Sequence, residues 1–338
     1  MKLDDGEAGD LAAEPGRFAD PSPPDIISWA FLAIFVAGVI VARANVRRGR
    51  ADARSGLRLA FVMAAIDLLV NGLSSHAVLT RPGRLVELVG ASLFEGVAVI
   101  VLYTALEPTV RATWPSMLVS WTRLLGRDRV GWHDPVVGRA VLVGLVAGAV
   151  LLMLGALSHS TVSAWEGAPP TPVQGNWTSL LSQRDALAEI IRRLGWSIFE
   201  SLIIPFFMVL GRLVLRRPIP SAIAAGAFWI APDVATALQN PGEASIFAII
   251  VGLLFLAAGL IVMIGVLLRW GLIALVSLNV AVVLGHHIAP TSNWTSWHAE
   301  PAILCVLVVA AIAAYACWAA TRGRRLLGEA VFARISPA

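Results

Sequence analysis

Val136-Val-Gly-Arg-Ala-Val-Leu-Val-Gly-Leu-Val-Ala-Gly-Ala-Val-Leu-Leu-Met-Leu-Gly-Ala-Leu157 carries one charge, Arg139, and after it only apolar or small residues. As a helix rising 1.5 Å per residue, such a run spans about 30 Å, the thickness of a bilayer's hydrocarbon core. Arg123, Arg127 and Arg129 precede it, whereas the stretch that follows, Ser158-His-Ser-Thr161, has no arginine. The same arrangement recurs along the 338 residues, of which 57% are hydrophobic and 14% charged. Mean hydropathy is +0.77. A soluble domain carries about 25% charged residues.

Searching outward for runs of this kind, closed by arginine, proline or polar clusters, gives nine predicted spans: Ile26 to Ala42, Leu57 to Ser74, Leu85 to Leu106, Val136 to Leu157, Leu194 to Leu215, Ser221 to Leu238, Ser245 to Leu268, Trp270 to Ile288 and Pro301 to Ala320. Pro232 and Asp233 interrupt the sixth. The predicted fold is therefore all-α, a polytopic membrane helix bundle of about nine transmembrane helices. One cytoplasmic and one external interfacial helix are expected beside them. Nineteen of the 26 basic residues fall in alternate gaps, among them Arg47, Arg48, Arg50, Arg111, Arg123, Arg212 and Arg269. The positive-inside rule places those gaps in the cytoplasm, with an external N-terminus and a cytoplasmic C-terminus.

On this scheme residues 1–25 form a disordered acidic external tail, because Asp4, Asp5, Glu7, Asp10, Glu14 and Asp20 leave too little apolar content to fold. Residues 26–321 form the transmembrane domain, with a cytoplasmic loop at 107–139 and an external loop at 158–193, and 322–338 form a cytoplasmic tail. No basic stretch precedes a short apolar run at the start, so the first span is expected to be retained. The sequence pI near 9.8 reports arginines flanking spans, which points to lipid rather than nucleic acid as the partner of the positive charge. Cys305 and Cys317 lie twelve residues apart in one helix, about 18 Å along its axis. They cannot pair with each other.

The most distinctive stretch lies between the third and fourth spans: Tyr103-Thr-Ala-Leu-Glu-Pro-Thr-Val-Arg-Ala-Thr-Trp-Pro-Ser-Met-Leu-Val-Ser-Trp-Thr-Arg-Leu-Leu125. Pro108 is expected to end or bend the third span, and Pro115 to open a new helix, where its missing N–H costs nothing. After it Met117, Leu118, Trp121, Leu124 and Leu125 recur at helical spacing, with Arg123 on the flank; that pattern predicts a helix in the headgroup plane. Glu107 and Arg111 are spaced to pair. A second surface-lying helix, on the external side, is predicted from Trp177 to Leu194.

This stretch resembles the multi-pass membrane region that follows the catalytic domain in a group of bacterial serine/threonine protein kinases. The residues that carry the resemblance are Ala105 to Pro108, Arg111, Trp114, Pro115, Ser120 to Leu125 (including Trp121 and Arg123), and Asp134-Pro-Val-Val-Gly-Arg139, which contains Pro135 and Gly138. Weaker matches are Ala42-Arg-Ala-Asn-Val-Arg-Arg-Gly-Arg50 and Leu268-Arg-Trp-Gly-Leu-Ile-Ala274. Thr109, Ala112 and Ala140 depart from the pattern. The resemblance implies a signalling role in the bacterial cytoplasmic membrane, as a non-catalytic anchor, sensor or partner-binding module. It further implies a separate kinase or other signalling protein as partner on the cytoplasmic face. The catalytic part of such a kinase is absent from these residues: there is no Gly-rich phosphate loop, no His-Arg-Asp loop, no Asp-Phe-Gly segment, and the only lysine is Lys2. No cofactor or metal is expected.

A transporter is the alternative. Asp67, Glu95, Glu200 and Asp233 fall inside apolar runs, where an ionisable side chain marks a buried partner, an aqueous cavity or a pathway. Interhelical hydrogen bonding is the commoner use of such groups. His76, His159, His286, His287 and His298 fall toward the predicted external side without metal-ligand spacing. Gly144 and Gly148 form a small-xxx-small face that permits close helix approach within the chain or in an oligomer. An intramembrane enzyme is the least supported class, since no paired catalytic motif appears.

Overall fold

The computed structural model of the chain describes residues 23–74, 82–125, 129–167, 180–217, 219–227, 245–287, 295 and 299–321. The described residues are all-α. In chain order the helices are α1 (Pro23–Arg47), α2 (Ala53–Ser74), α3 (Pro82–Thr113), α4 (Pro115–Leu125), α5 (Pro135–Glu166), α6 (Gln183–Leu215), α7 (219–227), α8 (Ile246–Trp270), α9 (Leu272–His287) and α10 (Ala299–Thr321), with a 3-10 turn at Arg129–His133. Six of them, α2, α3, α5, α6, α8 and α10, are long and apolar enough to cross a membrane. The chain is an integral, multi-pass membrane protein by that criterion.

The remaining expected spans stand differently. α1 runs for 25 residues over the first of them. Of the sixth, only the part up to residue 227 is described; Pro232 and Asp233 lie outside the described residues. α9 has 16 residues, about 24 Å of helix, too short for a lipid-facing span. Its surroundings explain the length. Leu272, Ile273, Ala274, Leu275, Leu278 and Leu284 are buried, α4, α5, α6 and α8 all pack on it, and Cys305 of α10 reaches the Leu284 carbonyl, so α9 is a central helix of the bundle. A helix apolar on all sides belongs in such a place.

The α5–α9 contact is the most extensive in the fold, and its cause is glycine. A Cβ at Gly144 would lie 2.2 Å from the Ala274 carbonyl oxygen, and one at Gly148 would lie 2.6 Å from the Ala281 Cβ. One turn beyond the start of α5, a Cβ at Gly138 would lie 2.5 Å from the Ala320 nitrogen of α10. The small-xxx-small face therefore works inside the chain. Without a hydrophobic driving force between helices in lipid, such backbone proximity is what lets van der Waals packing hold them.

Two expectations are corrected. Of the two outcomes expected at Pro108, an end or a bend, an end does not occur: α3 continues through it to Thr113, so residues 107–113 of the expected loop are helix. The external surface helix expected up to Leu194 is not a separate element either. From Gln183 the chain is one continuous helix to Leu215. Gly195, just past the expected boundary at Leu194, is a close-approach point, with a Cβ there falling 2.9 Å from Ile66 of α2. Arg184 donates to the Gly72 carbonyl (2.8 Å) and Arg192 to the Ser74 hydroxyl (3.1 Å), clamping this half of α6 to the end of α2. Glu189 is 1% exposed and pairs with Arg192 and Arg193. Residues 168–179, the acidic tail up to residue 22 and the tail from 322 lie outside the described residues, while residues 23–25 of the expected tail are the start of α1.

The helix ends sort into two groups. The end of α1, the start of α2, the end of α3, all of α4, the start of α5, the end of α6, the α8–α9 turn and the end of α10 meet at one end of the bundle, which is rich in arginine. At the other end, Ser245 before α8 donates to the Glu166 carboxylate at the close of α5 (2.7 Å). Gly144→Ala is expected to lower stability by roughly 1–3 kcal/mol, the cost of overpacking a tight contact. Gly265→Ala, where an added Cβ would meet no described neighbour within 4 Å, should be neutral. Thermal unfolding of the two variants in detergent checks the contrast, and equal midpoints would contradict the packing role given to Gly144.

Candidate functional site

Proline lacks an N–H, so Pro108 cannot donate to the carbonyl four residues back, that of Thr104. In an apolar environment an unpartnered carbonyl is costly. Asn45 of α1 supplies the missing donor: its side-chain amide donates to the Thr104 carbonyl (3.0 Å) and to the Ala105 carbonyl (3.1 Å). α3 therefore passes through its proline intact, and α1 is fixed to α3 at this height.

Glu107 lies beside that contact, fully buried. Its Oε1 is 2.5 Å from Arg111 Nη2, and its Oε2 accepts from the Asp52 backbone N–H (3.3 Å). Asp52 in turn caps α2, accepting from the Ser55 N–H (3.2 Å) and hydroxyl (2.6 Å). The Ser55 hydroxyl, opposed by partial burial and helped by the Ser55 N–H and the Arg111 charge, holds the Asp52 carboxyl below the usual carboxylate range. Tyr103, wholly buried one turn before Glu107, packs against Gly56 of α2, where a Cβ would lie 3.2 Å from its ring.

α4 spans Pro115–Leu125 as the sequence predicts. It faces inward, however: Met117, Leu118 and Trp121 are at most 4% exposed and join the main core. Trp114, at the joint with α3, lies under the Arg212 guanidinium of α6 at 5.7 Å from the ring centre, a cation–π contact. Arg123 pairs with Asp134 at 2.6 Å. Asp134 also accepts from the Val136 N–H (2.8 Å) and so caps α5 in front of Pro135. Burial raises the Asp134 carboxyl, but the Val136 N–H and the Arg123 bond and charge outweigh it, leaving it below the usual range.

Two glycines complete the arrangement. Gly131 in the 3-10 turn lies so close to α4 that a Cβ would fall 1.9 Å from the Arg123 carbonyl oxygen. Gly271, between α8 and α9, has φ +89° and would place a Cβ 2.8 Å from the Met117 carbonyl oxygen. The left-handed φ and the proximity both require glycine. From α10, Tyr315 donates to the Trp132 carbonyl, and Trp318 meets His133 edge-on at 5.0 Å between ring centres. Thus Ala42–Arg50, Ala105–Leu125, Asp134–Arg139 and Leu268–Ala274, the four segments that carried the resemblance, form one cluster. Comparison with known protein families, characterised proteins and solved structures gives no match for the chain. The cluster must be read from its own geometry.

The intramembrane carboxylates divide. Asp67 of α2 accepts from Ser92 of α3 (2.6 Å) and from Asn71 (2.9 Å), an interhelical bond of the structural kind. Asp67 and Glu95 line one cavity of about 340 Å³ with Arg192, Trp196 and Phe199. Glu200 does not line it, and Asp233 lies outside the described residues. His159 and His286 are brought to one largely apolar cavity between α5, α8 and α9. Among the described residues no cluster of His, Cys, Asp or Glu is arranged to hold a metal ion.

Sequence reading missed Asn45, Asp52 and Asn279, whose amide donates to the Ser201 hydroxyl in the core (2.9 Å). A mid-span proline is the signal that could have found Asn45, since it announces an orphan carbonyl without saying which residue serves it. Asn45→Ala is expected to cost about 1–3 kcal/mol, the usual penalty of an unpaired buried group. The same substitution made on top of Pro108→Ala should cost clearly less, because the alanine N–H can reach Thr104. Denaturation of the four proteins measures the coupling, and its absence would refute the capping role. Asp134→Asn keeps a capping side chain and loses the ion pair. The native protein should lose the Asp134 contribution as pH falls below about 4 and through the depressed pKa. The variant's stability should fall less over that range.

Proposed function

We propose that the chain is a non-catalytic membrane module, an anchor or sensor that presents its arginine-rich end to a signalling partner, akin to the membrane region of the bacterial kinases it resembles. The observation that carries this reading is the convergence of four dispersed segments on one rigid end of the bundle. Hydrogen bonds and ion pairs from Asn45, Glu107 and Asp134 fix their backbone. A fixed end of this kind suits recognition, since little is lost in ordering it on binding. In this reading the arginine-rich end lies in the cytoplasm of a bacterial inner membrane, the N-terminus is external and the C-terminus cytoplasmic. The partner is a separately encoded kinase or another signalling protein; an oligomer is compatible with the reading but would not use the Gly144 face, which α9 occupies.

A small ion-coupled transporter is the second reading, supported by the cavity that holds Asp67, Glu95 and Arg192 together. Asp67→Asn and Glu95→Gln separate the two. In a transporter they abolish ion flux into reconstituted vesicles while the protein stays folded. In an anchor they leave nothing to abolish, and only alanine at position 67 weakens the bundle through the lost Ser92 bond.

Topology tests the first reading directly. In a Cys305→Ser, Cys317→Ser background, Glu166→Cys should react with an impermeant thiol reagent added to intact cells, and Arg48→Cys only after lysis. The reverse pattern would sink the orientation. Purified protein given ATP should transfer no phosphoryl group, because the residues that would hold phosphates and metal are lacking; transfer that tracks with the protein through purification would contradict the reading.

A further inference from the structure

At the arginine-rich end a cavity of about 610 Å³ opens between α4, α5 and the last turn of α8. Its two walls differ in chemistry. Val136, Leu142 and Val143 of α5, Val119 of α4 and Trp270 of α8 are apolar. Arg139, Arg269, Ser116 and Ser120 supply the polar part. Among the described residues no acid lines the cavity; Asp134, two residues before Val136, is occupied by Arg123 and by the cap of α5. Neither Arg139 nor Arg269 is in an ion pair with a described residue. Both are exposed at the rim.

Ser120 gives the independent observation. It is 2% exposed and its hydroxyl has no hydrogen-bond partner among the described residues. A helical serine ordinarily returns its hydrogen to a carbonyl of the preceding turn, as Thr122 does here to Leu118 (2.9 Å). A buried hydroxyl without a partner is costly, and a ligand oxygen that accepts from it removes the cost.

Two guanidiniums and a hydroxyl donor, with no acid among the described residues beside them, select an anion with several acceptor oxygens. Phosphate matches the planar donor fork of arginine. The apolar wall in the same cavity selects a hydrocarbon attached to that anion. Val119 and Val136 are each 41% exposed, so the wall continues onto the outer surface of the bundle, where chains of surrounding lipid run.

We propose that this cavity binds one anionic phospholipid, its phosphate held by Arg139, Arg269 and Ser120 and an acyl chain laid along Val119, Val136, Leu142 and Val143. Basic pockets between membrane helices are suited to such headgroups. The site depends on membrane embedding and not on the signalling reading, so either can fail alone.

Delipidated protein in neutral detergent, titrated with phosphatidylglycerol and followed by native mass spectrometry and thermal unfolding, tests it. One lipid should be retained, with a raised unfolding midpoint. The double variant Arg139→Gln, Arg269→Gln should weaken retention by about tenfold or more, as expected for loss of charge-assisted bonds. Ser120→Ala should weaken it less. The control Arg48→Gln, Arg50→Gln removes the same charge from the same end and should bind like the native protein. Equal loss in the control would mean a diffuse basic surface and overturn the site. Phosphatidylcholine retained as well as phosphatidylglycerol would overturn anion recognition, and inorganic phosphate that binds as tightly as the lipid would overturn the acyl-chain half. No retention by the native protein would overturn the proposal outright and leave the cavity to an acidic segment of a protein. Should the glutamine pair unfold, Arg139→Lys, Arg269→Lys keeps the charge without the planar fork and is expected to bind with intermediate strength; binding unchanged from native there would overturn the guanidinium assignment.

Discussion

A carbonyl without a donor is the constraint on which the arginine-rich end depends. Pro108 removes the donor that Thr104 needs, in a stretch of helix where Thr104 and Ala105 are buried. The amide of Asn45 restores it and is bound to a neighbouring carbonyl as well. Because that amide sits on another helix, satisfying α3 also positions α1, and the short connection from α1 carries Asp52 to Glu107 at the start of α2. Local necessity in one helix thereby sets the mutual height of three. Proline here works as a demand for a tertiary contact.

A second constraint operates along the bundle's length. Lipid tails are as apolar as the side chains they meet, so burial alone gives helices no reason to prefer one another. α5 meets α9 through Gly144 and Gly148, and α10 through Gly138, at backbone distances that no larger residue permits. Contacts this close give α9 enough partners to remain internal at 16 residues. Its Asn279 can then bond to Ser201 of α6 away from lipid. The polar contact follows from the close packing, which shields it.

Much of this architecture can be read from apolar run length, because a spanning helix must satisfy its own backbone and advertises itself by composition. α2, α3, α5, α6, α8 and α10 were legible for that reason, and Pro115 marked the start of α4. What could not be read depends on partners distant in sequence. Asn45 and Thr104 are 59 positions apart, and Arg192 and Ser74 are 118 apart; no periodicity contains either pair. α6 illustrates the failure. Its first half has an amphipathic pattern that also fits a helix on a membrane surface, and only the clamp to α2 and the burial of Glu189 make it continuous with the span. The inward face of α4 was ambiguous in the same way, since Met117, Leu118 and Trp121 suit lipid and protein equally. Glycines were the opposite case: Gly131 and Gly271 look like ordinary loop residues and prove to be contact points with the α4 backbone.

Counting arginines by side treats them as equivalent, and the structure does not. Arg111, Arg123 and Arg212 are committed to Glu107, Asp134 and the Trp114 ring, so they serve to close the end of the bundle. The charges of Arg111 and Arg123 are answered by acids within the chain, and removing any of the three leaves an acid or a ring without its partner. Arg139 and Arg269 have no ion-pair partner among the described residues and stand at the rim of a cavity that also contains a serine hydroxyl unpartnered among them. Arg111, Arg123, Arg139 and Arg269 lie in segments that converge on this end, and Arg212 reaches the same place through the Trp114 ring. Topology needs arginine at one end and is indifferent to its exact position. Packing and recognition are not, and the division between engaged and unengaged arginines places the first in the interior joints of this end and the second at its open cavity.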